Sequence, residues 1–188
     1  MSRQLLKAGA LLLGYPDRAT FERIRGALGE IAALPARDLL RTFLERALAL
    51  PETEQEAQYV ATFDFREDLS LYLTFQERGD ARDRAQALIE LKQELRRCGF
   101  ECPEQELPDY IPLLLELLAE RPKGYDDRPL GFRLARALAG IAERLGEHAP
   151  YLPLIQAILT ALPVSAEPGE QPKGEEEDLA VPYPLPYL

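Results

Sequence analysis

Apolar residues recur at three- and four-residue spacing along most of the chain, with charged residues between them, and this predicts a succession of amphipathic helices. Leu5, Leu6, Ala8, Leu12 and Leu13 open the pattern as a first helix, which Gly14-Tyr-Pro16 breaks. Asp17 is placed to cap a second helix, whose buried face is marked by Phe21, Ile24, Leu28, Ile31 and Leu34. Pro35 starts a third, with Leu39, Leu40, Phe43, Leu44, Ala47 and Leu48 as its stripe and Pro51 as its stop. Thr53-Glu-Gln-Glu56 fits a capping box and starts the next helix. That helix carries Tyr59 and Phe63 one turn apart on one face, with Val60 and Asp64 on the neighbouring face. Spacing alone makes it a core-facing helix that ends in a turn.

From Leu69 to Phe75 the alternation Leu-Ser-Leu-Tyr-Leu-Thr-Phe has the period of a strand. No second strand-like run exists to pair with it, and an unpaired strand would leave its backbone groups unsatisfied, so helix is the expectation. Gly79-Asp80 ends this segment, and Asp80 with Asp83 opens a long charged helix along which Ala85, Leu88, Ile89, Lys92, Leu95 and Cys98 line up until Gly99. A second dense stretch follows, Glu106-Leu-Pro-Asp-Tyr-Ile-Pro-Leu-Leu-Leu-Glu-Leu-Leu118. Here Asp109 is the expected N-cap, Pro112 falls in the first turn, and the nearly continuous run from Leu113 to Leu118 predicts burial on more than one side. Asp109 and Tyr110 would then stand at the mouth of that helix. Two further helices are expected, Leu130 to Leu145 and Tyr151 to Leu162, with His148 in the linker between them.

Leucine and alanine dominate and valine is scarce, a balance that favours helices over sheets. The fold expected is therefore all-α, a single-domain helical bundle over residues 1–162. From Pro163 the composition turns to Pro, Gly and Glu, as in a flexible tail spanning 163–188. Six acids against one lysine after Val164 give that tail a balance of −5 out of the net −10. Its end, Leu179 to Leu188, is apolar, stiffened by proline and carries Tyr183 and Tyr187, so it suits docking on its own domain or on a partner. Occupation of the partner groove by Tyr183 to Leu188 is one such arrangement.

The acidic balance argues against a nucleic-acid partner, whose phosphates need a basic surface. No apolar run approaches the roughly 20 residues needed to cross a bilayer. Lys7 interrupts the apolar amino-terminal segment and no small-x-small site follows, so the segment reads as the first helix of a cytoplasmic protein. Cys98 and Cys102 are spaced C-x3-C, and His148 is the sole histidine, so neither a metal site nor a resident cofactor is expected. No phosphate-binding glycine loop, G-x-S-x-G elbow or H-E-x-x-H occurs. A nucleophile–histidine arrangement would have to use His148, which has no motif around it. Converging carboxylates remain the one open route to catalysis, and the preferred reading is a helical binding module and not an enzyme.

Both dense stretches now carry a resemblance. Tyr59-Val-Ala-Thr-Phe-Asp64, Leu69-Ser-Leu-Tyr-Leu-Thr74, Gly79-Asp80 and Glu106-Leu-Pro-Asp-Tyr-Ile-Pro112, together with an early Leu-Leu-Gly-Tyr-Pro16, resemble the NarJ-type assembly chaperones of respiratory nitrate reductase, within the TorD-like chaperones of molybdenum enzymes. The match runs in consistent order over about residues 5 to 162. The resemblance implies an all-helical cytoplasmic chaperone that binds the apo catalytic (alpha) subunit of nitrate reductase, including its amino-terminal peptide, until the molybdenum cofactor is inserted. Tyr59, Phe63 and Asp64 match the first motif, and Pro108, Asp109 and Pro112 the second; Tyr110 stands where the family often has histidine. The expected site is a groove for a helical peptide, with Tyr59 and Phe63 as apolar wall and Asp64, Glu106 and Asp109 meeting basic groups at the rim. The alternative in another class is a non-catalytic adaptor or structural subunit of a larger complex.

Overall fold

The structure is a computed structural model and describes residues 2–77, 81–102 and 106–163. The tail after Pro163, with the docking segment Tyr183 to Leu188, lies outside the described residues, as do Gly79 and Asp80. Nine α-helices are described: α1 (Arg3–Leu13), α2 (Arg18–Ala27), α3 (Leu34–Leu48), α4 (Glu52–Tyr59), α5 (Leu73–Glu77), α6 (Ala81–Arg97), α7 (Ile111–Glu120), α8 (Arg128–Leu145) and α9 (Leu152–Leu159). Among the described residues there is no strand beyond one isolated bridge, so the all-α expectation holds.

The centre is built on α1, α7 and α9. Leu5, Leu6, Leu12 and Leu13 of α1 are buried, as are Leu114, Leu115, Leu117 and Leu118 of α7, which is covered on several sides as its apolar run predicts. α1 packs along α7 and against α9, which in turn lies against α3 and α8. Gly9 permits the α1–α9 approach, because a Cβ there would stand 2.6 Å from Ile158 Cγ1. α6 ends as its sequence predicts: Gly99 takes φ +80°, and the amides of Gly99 and Phe100 bond back to the carbonyls of Arg96 and Leu95.

Several local expectations are corrected. Asp17 caps α2 through the amides of Ala19 and Thr20, but α2 stops at Ala27 and a 3-10 turn, Leu28–Glu30, follows. Leu34 is thereby exposed at the start of α3 and does not extend the α2 stripe. The capping box at Thr53 does not form: α4 begins one residue earlier behind Pro51, with no side-chain cap. In α6 the buried face is Ala87, Leu91 and Leu95, while Ala85 and Ile89 are exposed. With few apolar residues on this helix, two stripes of similar spacing were available, and packing selects between them.

The largest correction concerns Leu69 to Phe75. A 3-10 turn, Glu67–Leu69, leads into an extended step at Tyr72, which pairs antiparallel with Tyr110 before α5 begins. The Leu73 amide donates to the Asp109 carbonyl and the Ile111 amide to the Leu71 carbonyl, both at 2.8 Å. A strand partner therefore exists, supplied by a segment too short to show strand periodicity.

Candidate functional site

That two-bond bridge joins the second half of the first motif region to the start of α7. It sets Tyr72 beside Tyr110, with ring centroids 5.6 Å apart. It also places Asp109 under the first turn of α5. Asp109 is fully buried and caps that helix, not its own: one carboxylate oxygen accepts from the Thr74 amide at 3.2 Å and from the Thr74 hydroxyl at 2.5 Å. The N-cap position of α7 falls to Tyr110, whose side chain makes no bond to the helix amides. The expectation that Asp109 stands at the helix mouth is thus overturned, because the bridge turns its side chain inward. Its other oxygen is buried without a hydrogen bond. Pro108 and Pro112 are buried as well.

The first motif also points inward. After Tyr59 the helix widens into a π turn, Val60–Asp64, closed by a bond from the Phe65 amide to the Val60 carbonyl. Tyr59 and Phe63 are buried in a chain of ring contacts: Tyr59–Phe63 at 5.2 Å, Phe63–Tyr151 at 4.9 Å and Tyr151–Phe43 at 5.2 Å between centroids. Such edge and tilted contacts add to area burial and stiffen the cluster. Only the Tyr59 hydroxyl reaches toward the second motif, 3.1 Å from the Tyr110 hydroxyl. Burial pushes the Tyr59 phenol well above its ordinary range, and Tyr110 and Asp64 add to this, so the pair is neutral at physiological pH. Asp64 itself is exposed, and its charge acts on both hydroxyls.

In front of Tyr110 lies a hollow of about 530 Å³, where the C-terminal end of α1 meets the N-terminal end of α7. α1 contributes Ala10, Leu11 and Gly14; the other wall is Tyr110, Pro112 and Leu113, with Glu106 and Glu116 as its charges. The lining holds two carboxylates, of which Glu116 is paired with Lys7 of α1 at 2.6 Å. Glu106 is held in place, because its Oε1 accepts from the Tyr72 hydroxyl and from the Leu107 amide, each at 3.0 Å. Burial first, then the Glu106 hydrogen bond, push the Tyr72 phenol up to about 12. Tyr15, on the turn after α1, is 57% exposed and packs edge-on against Tyr59 at 5.5 Å. The hollow therefore offers apolar walls, tyrosine edges and fixed negative charge, which suits an apolar segment carrying a basic group.

Residues 31–156 match the nitrate reductase delta subunit family. The chain belongs to that family. It is 35% identical over 159 residues to the probable nitrate reductase molybdenum cofactor assembly chaperone NarW of Escherichia coli (strain K12), covering 83% of this chain and 67% of that protein. It is 36% identical over 111 residues to the probable assembly chaperone of the same kind, NarJ, of Bacillus subtilis (strain 168), covering 57% of this chain and 60% of that protein. With NarJ of Escherichia coli (strain K12) the identity is 36% over 117 residues, covering 60% of this chain and 50% of the relative. The chain thus spans half to two thirds of the length of these relatives. The resemblance drawn from the two motifs holds at the level of the family.

Within this family member, the residues singled out by motif separate into two groups. Glu106, Tyr110 and Pro112 line the hollow, and Asp64 is at the surface nearby. Tyr59, Phe63, Pro108 and Asp109 stand behind it as support. Leu11, Gly14, Leu113, Glu116 and Tyr72 were not among the residues expected at the site. Their signal lay in the spacing of Lys7, Leu11 and Gly14 along α1 and its C-cap and of Leu113 and Glu116 on α7, which marks a half-buried edge on each helix but not that the two edges meet. Cys98 and Cys102 are free and partly buried, and burial pushes both thiols up. His148 is exposed between α8 and α9. Among the described residues no three His, Cys, Asp or Glu side chains are grouped to hold a metal, and no helix is long and apolar enough to cross a membrane.

Proposed function

We propose that this protein is a cytoplasmic maturation chaperone that binds the apo catalytic subunit of nitrate reductase, including its amino-terminal peptide, and supports molybdenum cofactor insertion before membrane docking. The observation that carries this reading is the 35% identity to a molybdenum cofactor assembly chaperone over 83% of the chain. The acidic, apolar-walled hollow beside Tyr110, whose lining suits an apolar segment carrying a basic group, supports this reading. In this reading the protein performs no catalysis and keeps no cofactor. Glu106 and Asp64 meet basic groups, Tyr110, Pro112 and Leu113 meet apolar ones, and Tyr59, Phe63, Pro108 and Asp109 fix the wall from behind.

Titration calorimetry with the amino-terminal peptide of the catalytic subunit tests the site. Glu106→Gln and Tyr110→Ala together should weaken binding at least tenfold, as expected for loss of an anchor and its charge partner. Co-purification tests the role: the chaperone should accompany catalytic subunit that lacks molybdenum and be absent from the mature enzyme. Recovery with cofactor-loaded enzyme, as an integral subunit, would refute it.

A further inference from the structure

α1 and α7 run antiparallel, since the Arg3 guanidinium reaches the Arg121 carbonyl at one end and Gly14 faces Tyr110 across the hollow at the other. A second hollow, of about 360 Å³, lies at the Arg3 end, between the same edge of α1 and Ile24, Ala27 and Ile31 of α2 and the turn after it, with Ala119 and Glu120 at the end of α7 closing one side. Leu11 lines both hollows, so they adjoin. At 1.5 Å per residue the groove from Arg3 to Gly14 is roughly 16 Å long, the length of a helical segment of about three turns.

Between the two hollows stands one cation with two anions. Lys7 Nζ lies 2.6 Å from Glu116 Oε1 and 3.2 Å from Glu120 Oε1. The three side chains are 37%, 39% and 55% exposed, so the pairing adds little to stability and its members can change partner. Two carboxylates facing a single ammonium leave one negative charge unmatched at the middle of the groove. The Glu116 hydrogen bond also raises the Lys7 pKa.

We infer that the groove along one edge of α1, walled by α7 at its Gly14 end and by α2 with the end of α7 at its Arg3 end, is one continuous docking surface for an amphipathic helical segment of the client with a lysine or arginine at its middle, and that this cation takes Glu116 and Glu120 over from Lys7. Lys7 is thus a built-in competitor that lowers affinity for the client. The inference rests on the proposed client-binding role and extends that site by a second hollow and an exchangeable ion pair.

Calorimetry on the full chain with the amino-terminal peptide of the catalytic subunit, and with the same peptide carrying glutamine at its basic positions, tests it. Lys7→Gln should tighten binding of the basic peptide about threefold to tenfold, Glu116→Gln should weaken it by a similar factor, and the neutral peptide should show neither difference. Lys92→Gln, which removes an equal charge on α6, should leave affinity unchanged. Equal or weaker binding by Lys7→Gln, or an equal gain in Lys92→Gln, overturns the inference while leaving the proposed function standing. Failure of the peptide to bind the wild-type chain refutes both. Thermal unfolding of each variant confirms that the comparison is made on folded protein.

Discussion

Replacing Asp109 by alanine should destabilise this protein without removing a contact to the partner. The carboxylate is fully buried and receives both the amide and the hydroxyl of Thr74, 35 positions earlier, at the first turn of α5. Hydrogen bonds to a charged acceptor are worth about 1.5–3 kcal/mol each when one partner is removed. The release of a desolvated carboxylate offsets part of that, and its second oxygen already lacks a partner. A net loss of about 2–4 kcal/mol follows, which for a chain of this size lowers Tm by roughly 5–15 °C. Asp109→Asn keeps an acceptor for Thr74 and should cost about half as much. Urea denaturation followed by circular dichroism gives the free energies, and peptide calorimetry at a temperature where both variants are folded gives the affinity. If Asp109→Ala is within about 0.5 kcal/mol of wild type yet loses the peptide, Asp109 is a partner contact and the internal cap is not its role.

Substitutions at three further positions separate support from contact. Tyr59→Phe removes only the hydroxyl contact to Tyr110 and should cost about 1 kcal/mol, whereas Tyr59→Ala opens the ring cluster and should cost about 3–5 kcal/mol; chemical denaturation distinguishes the two, and similar costs would place Tyr59 outside the core. Gly9→Ala should destabilise by about 1–3 kcal/mol despite the better helix propensity of alanine, because its Cβ meets Ile158; a neutral or raised Tm would refute the close α1–α9 packing. The Tyr72 phenol is raised from 10 to about 12 in the fold, so its contribution to stability is fully present below pH 10 and is lost as pH rises through about 12. Urea midpoints measured from pH 9 to 12 should therefore fall more steeply for wild type than for Tyr72→Phe, and parallel curves would remove the Tyr72–Glu106 bond from the account.

The helices of this protein were legible because their cause is local. Spacing of apolar residues three and four apart placed α1, α3, α8 and α9, Asp17 and Gly99 marked an N-cap and a C-terminal stop by their own conformational chemistry, and the unbroken run in α7 announced burial on several sides. The same reasoning found both motif stretches, and the order of those stretches was enough to indicate the family. What it could not assign was the direction in which each motif faces. Asp109 read as the cap of its own helix because a cap is normally local, yet a backbone bridge between Leu71–Leu73 and Asp109–Ile111 turns it onto another helix. Tyr59 and Phe63 read as groove wall but close around Tyr151, nearly a hundred residues further along the chain. The candidate groove itself depends on two half-buried helix edges meeting, Leu11 and Gly14 against Tyr110 and Leu113. Periodicity fixes which side of a helix is apolar, because that follows from 3.6 residues per turn; which helix it meets depends on long-range packing that no local pattern encodes.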